Sequence, residues 1–145
     1  TRTTMADPAA PAPRDVLEYL LGRYSVGPKK LAAPGPSADE LLVAARAALR
    51  APDHEHLVPF RLAVVPDRAR PALAALFEDC ARRAGHDEEE ARDEGRRAWN
   101  GPVLVAAVAR IDEAHPKVPA REQWMCVGGA LTNFLNALHL MGPSC

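Results

Sequence analysis

Cysteine is scarce in this chain. Cys80, Cys126 and Cys145 are the three it has in 145 residues, an odd number with no short metal-type spacing. A disulfide framework is not expected, and a reducing cytoplasm is the expected setting. Net charge is also lacking, since 18 Lys and Arg residues against 19 Asp and Glu leave −1. No long-range field therefore gathers nucleic acid or acidic lipid. Uninterrupted apolar runs are missing too. The longest stretch, Met125 to Met141, is broken by Thr132, Asn133, Asn136 and His139, which would be costly in lipid, so no membrane span is expected. No apolar export segment precedes the folded pattern. Gly-x-Gly-x-x-Gly does not occur between a strand and a helix, which argues against a Rossmann dinucleotide fold. A cluster resembling a Ser/His/Asp triad is likewise missing.

What remains is an ordinary globular composition, 48% hydrophobic and 26% charged. A chain of this size can bury roughly two thirds of its unfolded surface around one core, so one domain is expected. Thr1 to Arg14, with Pro8, Pro11 and Pro13 among alanines, reads as a disordered tail. The domain is then residues 15–145.

From Asp15 the apolar positions Val16, Leu17, Leu20 and Leu21 make a short amphipathic helix that Gly22 ends. Residues 26–36, with Gly27, Pro28, Pro34, Gly35 and Pro36, are a loop carrying Lys29 and Lys30. Ser37 and Glu40 have capping-box spacing and open a second helix, which Ala51-Pro52 stops. Phe60 to Val65 is β-branched and apolar enough for a strand. Pro66-Asp67 is expected to end it and cap a third helix, which runs to about Ala84 and tolerates Pro71 in its first turn. Acids from Asp87 to Glu90 open a fourth helix, where its dipole favours them. Pro102 to Ala109 is apolar at consecutive positions from Val103 to Val108 and reads as a central strand covered on both faces. Pro119 to Met141 is apolar nearly all round, so a helix buried in a core or against a second subunit is expected, with Gly128-Gly129 admitting a close backbone approach.

Two polar segments stand out on this frame. Arg50-Ala51-Pro52-Asp53-His54 places a cation, a carboxylate and an imidazole between a helix and a strand, where rigid elements can aim loop side chains at a ligand. Arg23-Tyr24-Ser25 places a cation and two hydroxyls after the first helix. Together they suggest an anionic, planar cofactor. Blander readings stay open: Arg50 and Asp53 as a surface ion pair or a cap around Pro52, Trp99 and Trp124 as packing residues, Cys126 as a small buried hydrophobe. His54 and His56 lack a third ligand at metal spacing.

The ordered set of motifs resembles the FMN-dependent nitroreductase family, in particular its small bacterial branch. Leu20-Leu21-Gly22-Arg23-Tyr24-Ser25 corresponds to the family's early Arg-Arg-Ser. Arg50-Ala51-Pro52-Asp53-His54 and Pro59-Phe60-Arg61 follow. His115-Pro116-Lys117-Val118-Pro119, with Glu122-Gln123 opening the long helix, completes the set. The resemblance implies an α+β fold, a mixed sheet flanked by helices, and an intertwined homodimer with FMN at each interface. It implies that Arg23, Tyr24 and Ser25 hold the cofactor from one subunit and Arg50 and His54 from the other. The implied activity takes hydride from NAD(P)H onto FMN and passes electrons to a nitroaromatic, a quinone or a similar small acceptor, with no protein nucleophile required.

Two departures from the family pattern carry consequences. Tyr24 stands where the family has a second arginine, which removes a phosphate-pairing cation unless Lys29 or Lys30 replaces it. The sequence stops at Cys145, where the resemblance leads one to expect a further flavin-contacting loop of the Trp-Arg-Ser-Gly type. The expectation is therefore a nitroreductase-like domain lacking its C-terminal part. The alternative is a non-catalytic or degenerate dimeric flavin-binding module.

Overall fold

A computed structural model describes residues 13–142. The expected tail lies outside the described residues up to residue 12, and so does Cys145. Helix α1 spans Pro13–Gly22, starting earlier than Asp15 because a proline suits the first helical position, where its missing N–H costs nothing. Helix α2, Ala38–Ala48, opens on the expected capping box: Ser37 N donates to Glu40 Oε2 at 2.7 Å and Glu40 N donates to Ser37 Oγ at 3.2 Å. Strand β1, Phe60–Val65, follows. Helices α3, Arg70–Arg83, and α4, Glu88–Arg96, form a hairpin. Strand β2, Leu104–Ala109, and helix α5, Ala120–Met141, complete the order.

The two strands pair antiparallel, from Phe60 opposite Ala109 to Val65 opposite Leu104. Phe60, Leu62, Val105 and Ala109 join the core, which lies between the sheet, α2 and α5. Ala44 and Ala48 of α2 have no exposed surface, and these small side chains let the helix sit close to Cys126, Val127, Ala130 and Phe134 of α5.

Two expectations are corrected here, and a third is met in part. Among the described residues β2 has one partner and is an edge strand; Ala107 and Val108 are exposed. Its apolar run therefore does not mark burial on both faces within this chain. Asp67 does not cap α3, because residues 67–69 first make a 3₁₀ turn and the cap position falls on Ala69. Its carboxylate instead stands 2.9 Å from Nε of Arg70. Finally, α5 buries one stripe and leaves Trp124, Met125 and Leu135 at least half exposed. The residues at 123, 126, 127, 130 and 134 share one helical face, and the chain supplies cover for that face alone. Trp99 is likewise more than half exposed and packs into no core.

A guanidinium that the sequence did not announce holds the α3–α4 unit to the approach of β2. Arg70 is 3% exposed, and its Nη1 donates to the carbonyls of Ala98 and Gly101, its Nη2 to that of Pro102. Those carbonyls belong to a turn with no other partner in the helices, and a five-donor fork satisfies several at once. Its Nε is near enough to Asp67 for charge pairing but makes no aligned hydrogen bond.

Candidate functional site

Arg50-Ala51-Pro52-Asp53-His54 lies against the N-terminal half of α5. α2 ends at Ala48, four residues ahead of Pro52, and the chain then crosses the long helix where side chains are small. A Cβ placed on Gly129 would stand 3.4 Å from that of Ala51. The expected close approach is thus made at Gly129, whereas Gly128 faces outward with nothing near it.

The turn that follows is unusual. Glu55, His56 and Val58 have φ of 61°, 54° and 46°, left-handed values that cost a non-glycine residue free energy. Asp53 holds this turn: Leu57 N donates to its Oδ1 at 3.2 Å and Val58 N to its Oδ2 at 2.8 Å. Asp53 therefore forms no ion pair with Arg50. Beneath it lies the buried Cys126, whose thiol is pushed up by burial first and by the Asp53 carboxylate second. Outside, His54 Nδ1 stands 2.9 Å from Glu122 Oε2 and Lys117 Nζ stands 3.3 Å from Glu55 Oε1. Two carboxylate contacts thus tie the turn to the start of α5 and the segment before it. His115 shapes that segment, its Nδ1 accepting from the amides of Lys117 and Val118.

The other sequence-predicted residues sit elsewhere. Arg23, Tyr24 and Ser25 follow α1, whose Tyr19 carbonyl accepts from Nε2 of His139 at 3.0 Å. Tyr19 and His139 also meet edge to face, with ring centroids 6.0 Å apart. Tyr24 is 77% exposed, Ser25 is exposed and Arg23 half-buried. The rise of α5 from Gly129 to His139 is roughly 15 Å, and from Glu122 to His139 roughly 25 Å. Tyr19, four residues ahead of Arg23, thus meets the C-terminal end of α5, whereas His54 meets its first turn at Glu122 and Ala51, next to Arg50, meets Gly129 nearer its middle. Neither Arg23 nor Arg50 has an ion-pair partner among the described residues.

The sequence model of the Nitroreductase family matches residues 20–145. The chain belongs to the nitroreductase family. The matched span opens just ahead of Arg23 and takes in both polar segments. Among curated proteins, the chain is 37% identical over 118 residues to "Putative NAD(P)H nitroreductase YdjA" of Escherichia coli (strain K12), covering 81% of this chain and 62% of that one. It is 34% identical over 116 residues to "Putative NAD(P)H nitroreductase" of Haemophilus influenzae, covering 80% and 62%. The chain thus spans about 62% of the length of the curated relatives it matches. Its helices and small antiparallel sheet suit the α+β architecture of a nitroreductase, of which the described residues supply two antiparallel strands. No helix among them is long and apolar enough to cross a membrane.

Asp53, Glu122 and Gln123 stand in the sequence motifs, but the sequence alone assigned none of them the contacts they make in this candidate site. Gln123 is 2% exposed and bonds three backbone groups of the segment ahead of α5. The signal was present in Glu122-Gln123 at the start of an apolar helix, since a polar pair there either caps the helix or reaches back into the preceding loop.

Proposed function

We propose that this nitroreductase domain is the flavin-binding part of an FMN-dependent oxidoreductase that draws electrons from NAD(P)H and acts as a homodimer. One observation carries the reading: Arg23 and Arg50, neither with an ion-pair partner among the described residues, lie on two separate polar segments, one following the helix that meets the C-terminal end of α5 and one against its N-terminal half. A guanidinium matches phosphate in a two-pronged fashion, and hydroxyls complete the anion's hydrogen bonds. The donor set therefore fits a phosphorylated flavin. Arg23, Tyr24 and Ser25 would hold it from one subunit, Arg50 and His54 from the other.

Two subunits are invoked because of the spacing along α5 and because of what that helix exposes. Met125 is 75% exposed and Leu21 of α1 77%, with Trp124, Leu135, Leu17 and Leu42 each at least half exposed. Exposed apolar side chains of this size on α1, α2 and α5 are what a second copy would cover in this reading. A second copy, related by a two-fold axis, would cover this face and bring the two cationic segments to one ligand. Bound FMN supplies two-electron chemistry between NAD(P)H and a nitroaromatic, a quinone or a similar small acceptor. The protein's part is to bind, orient and exclude water, and no side-chain nucleophile is needed. A cytoplasmic setting is part of the same proposal.

Purified protein of the full gene product tests this. The visible band of oxidised flavin, bleached under anaerobic conditions by NADH or NADPH, is the expected result. Arg23→Ala should weaken FMN retention far more than His56→Ala, since only the first is placed on the phosphate. A protein that neither retains nor rebinds FMN refutes the reading. Retention without bleaching by either nucleotide would instead favour a non-catalytic flavin-binding module.

A further inference from the structure

Within the site just described, Asp53 touches none of the groups offered to a ligand. Both its oxygens are used inward, on Leu57 N and Val58 N, with the buried Cys126 thiol at its side. The amides it accepts lie on the far side of a turn with left-handed φ at Glu55, His56 and Val58. Such a turn, with no glycine in it, opens unless something over-determines it, because each left-handed non-glycine residue is strained. A carboxylate accepting two amides, one of them at 2.8 Å, is the only side chain among the described residues that bonds the turn's backbone. His54 is the first residue of the turn, immediately after Asp53. Its ring is fixed from the other side by Glu122, which accepts from Nδ1 and leaves Nε2 facing away from α5's carboxylate.

We propose that Asp53 is a positioning residue, whose carboxylate locks the His54–Val58 turn in its left-handed form and so aims the His54 ring, with Glu122 fixing the ring's rotation. This rests on the reading that His54 contacts the flavin phosphate or a flavin carbonyl. The pairing explains why a strained, glycine-free turn follows Pro52. A glycine would adopt the same φ without strain, but it would leave the imidazole on a flexible backbone. Asn at position 53 would keep one acceptor oxygen in place of two and lose the charge, so it is the informative substitution. It is nearly isosteric, and the melting transition checks that it folds.

Two measurements on the full gene product test the proposal. The first needs no ligand: the His54 ring signals in a carbon–proton NMR correlation, assigned by their loss in His54→Ala. In Asp53→Asn these signals should move toward those of a histidine with no carboxylate partner, and in Glu122→Gln they should shift while the amide signals of Leu57 and Val58 stay. Unchanged His54 signals in Asp53→Asn overturn the proposal. The second is FMN affinity in a double-mutant cycle. Asp53→Asn should weaken FMN binding about five- to tenfold in the otherwise wild-type protein and have almost no effect in His54→Ala. Equal losses in both backgrounds would mean that Asp53 acts elsewhere and would also overturn it. If the unsubstituted protein binds no FMN, the proposed function fails, and the ring signals alone decide the role of Asp53.

Discussion

Gln123 and Asp112 exchange two hydrogen bonds as residues on neighbouring strands would. Asp112 N donates to Gln123 Oε1 at 2.8 Å, and Gln123 Nε2 donates to Asp112 O at 2.8 Å. The same Nε2 donates to Val118 O at 2.9 Å. One side chain on the first turn of α5 thus satisfies the backbone at both ends of the loop that leads into the helix. That loop also carries Lys117, which reaches Glu55 of the left-handed turn.

Gln123→Leu should destabilise the protein by about 2–4 kcal/mol, because it strips partners from three backbone groups around a buried position. Gln123→Glu should also destabilise, since it replaces the amide that donates to both carbonyls with an acceptor. Urea unfolding monitored by Trp124 fluorescence measures both. A loss below about 0.5 kcal/mol for Gln123→Leu would show that water takes over the three bonds and that the clamp is not structural.

Elements whose cause is local were legible in the chain. Ser37 and Glu40 form the capping box that their spacing announces, and Asp87 with Glu90 forms another. Both strands lie where the apolar runs put them. What was not legible depends on long-range partners. Arg70 reads as one more surface cation in a helix with four other charged residues, yet it is buried because a carbonyl-rich turn from residues 98–102 folds over it. Val103 to Val108 reads as a doubly covered strand, because an apolar run records that cover is needed and not which chain supplies it. Of the candidate site, Arg50 and His54 could be named from their residue types. Asp53 looked like an ion-pair partner until the left-handed φ values showed what its oxygens hold.

Cys126 offers a pH-dependent signature of the same region. Its folded-state pKa is raised by burial and by Asp53, so its contribution to stability is fully present below the unfolded thiol value, about 8.5, and is lost as pH rises beyond it. Cys126→Ala should therefore flatten the alkaline decline in stability above about pH 8.5, even if the truncation lowers stability at neutral pH. Chemical denaturation at several pH values reads the slopes. A thiol-reactive dye adds a kinetic check: exposed Cys80 should react fast and buried Cys126 slowly in a Cys145→Ser background. Identical alkaline slopes with and without Cys126 would place its thiol outside the protected core.

The proposed division of the site between subunits has a consequence that a single-subunit site cannot imitate. In the proposed two-fold dimer each ligand would take Arg23 from one copy and Arg50 from its partner. Arg23→Ala and Arg50→Ala homodimers should each bind FMN poorly. Differently tagged chains, co-expressed and isolated as the mixed dimer, would contain one site with both arginines intact and one with neither. The mixed dimer should then recover about half of the wild-type FMN content per dimer. If both arginines served a site within one chain, every site in the mixed dimer would lack one of them, and FMN content would stay at the level of the single variants. Trp124→Glu supplies the companion control: a charge on the exposed face of α5 should shift the protein toward monomer in sedimentation and lower FMN content in parallel. A monomer that kept its full complement of flavin would rule out the shared site.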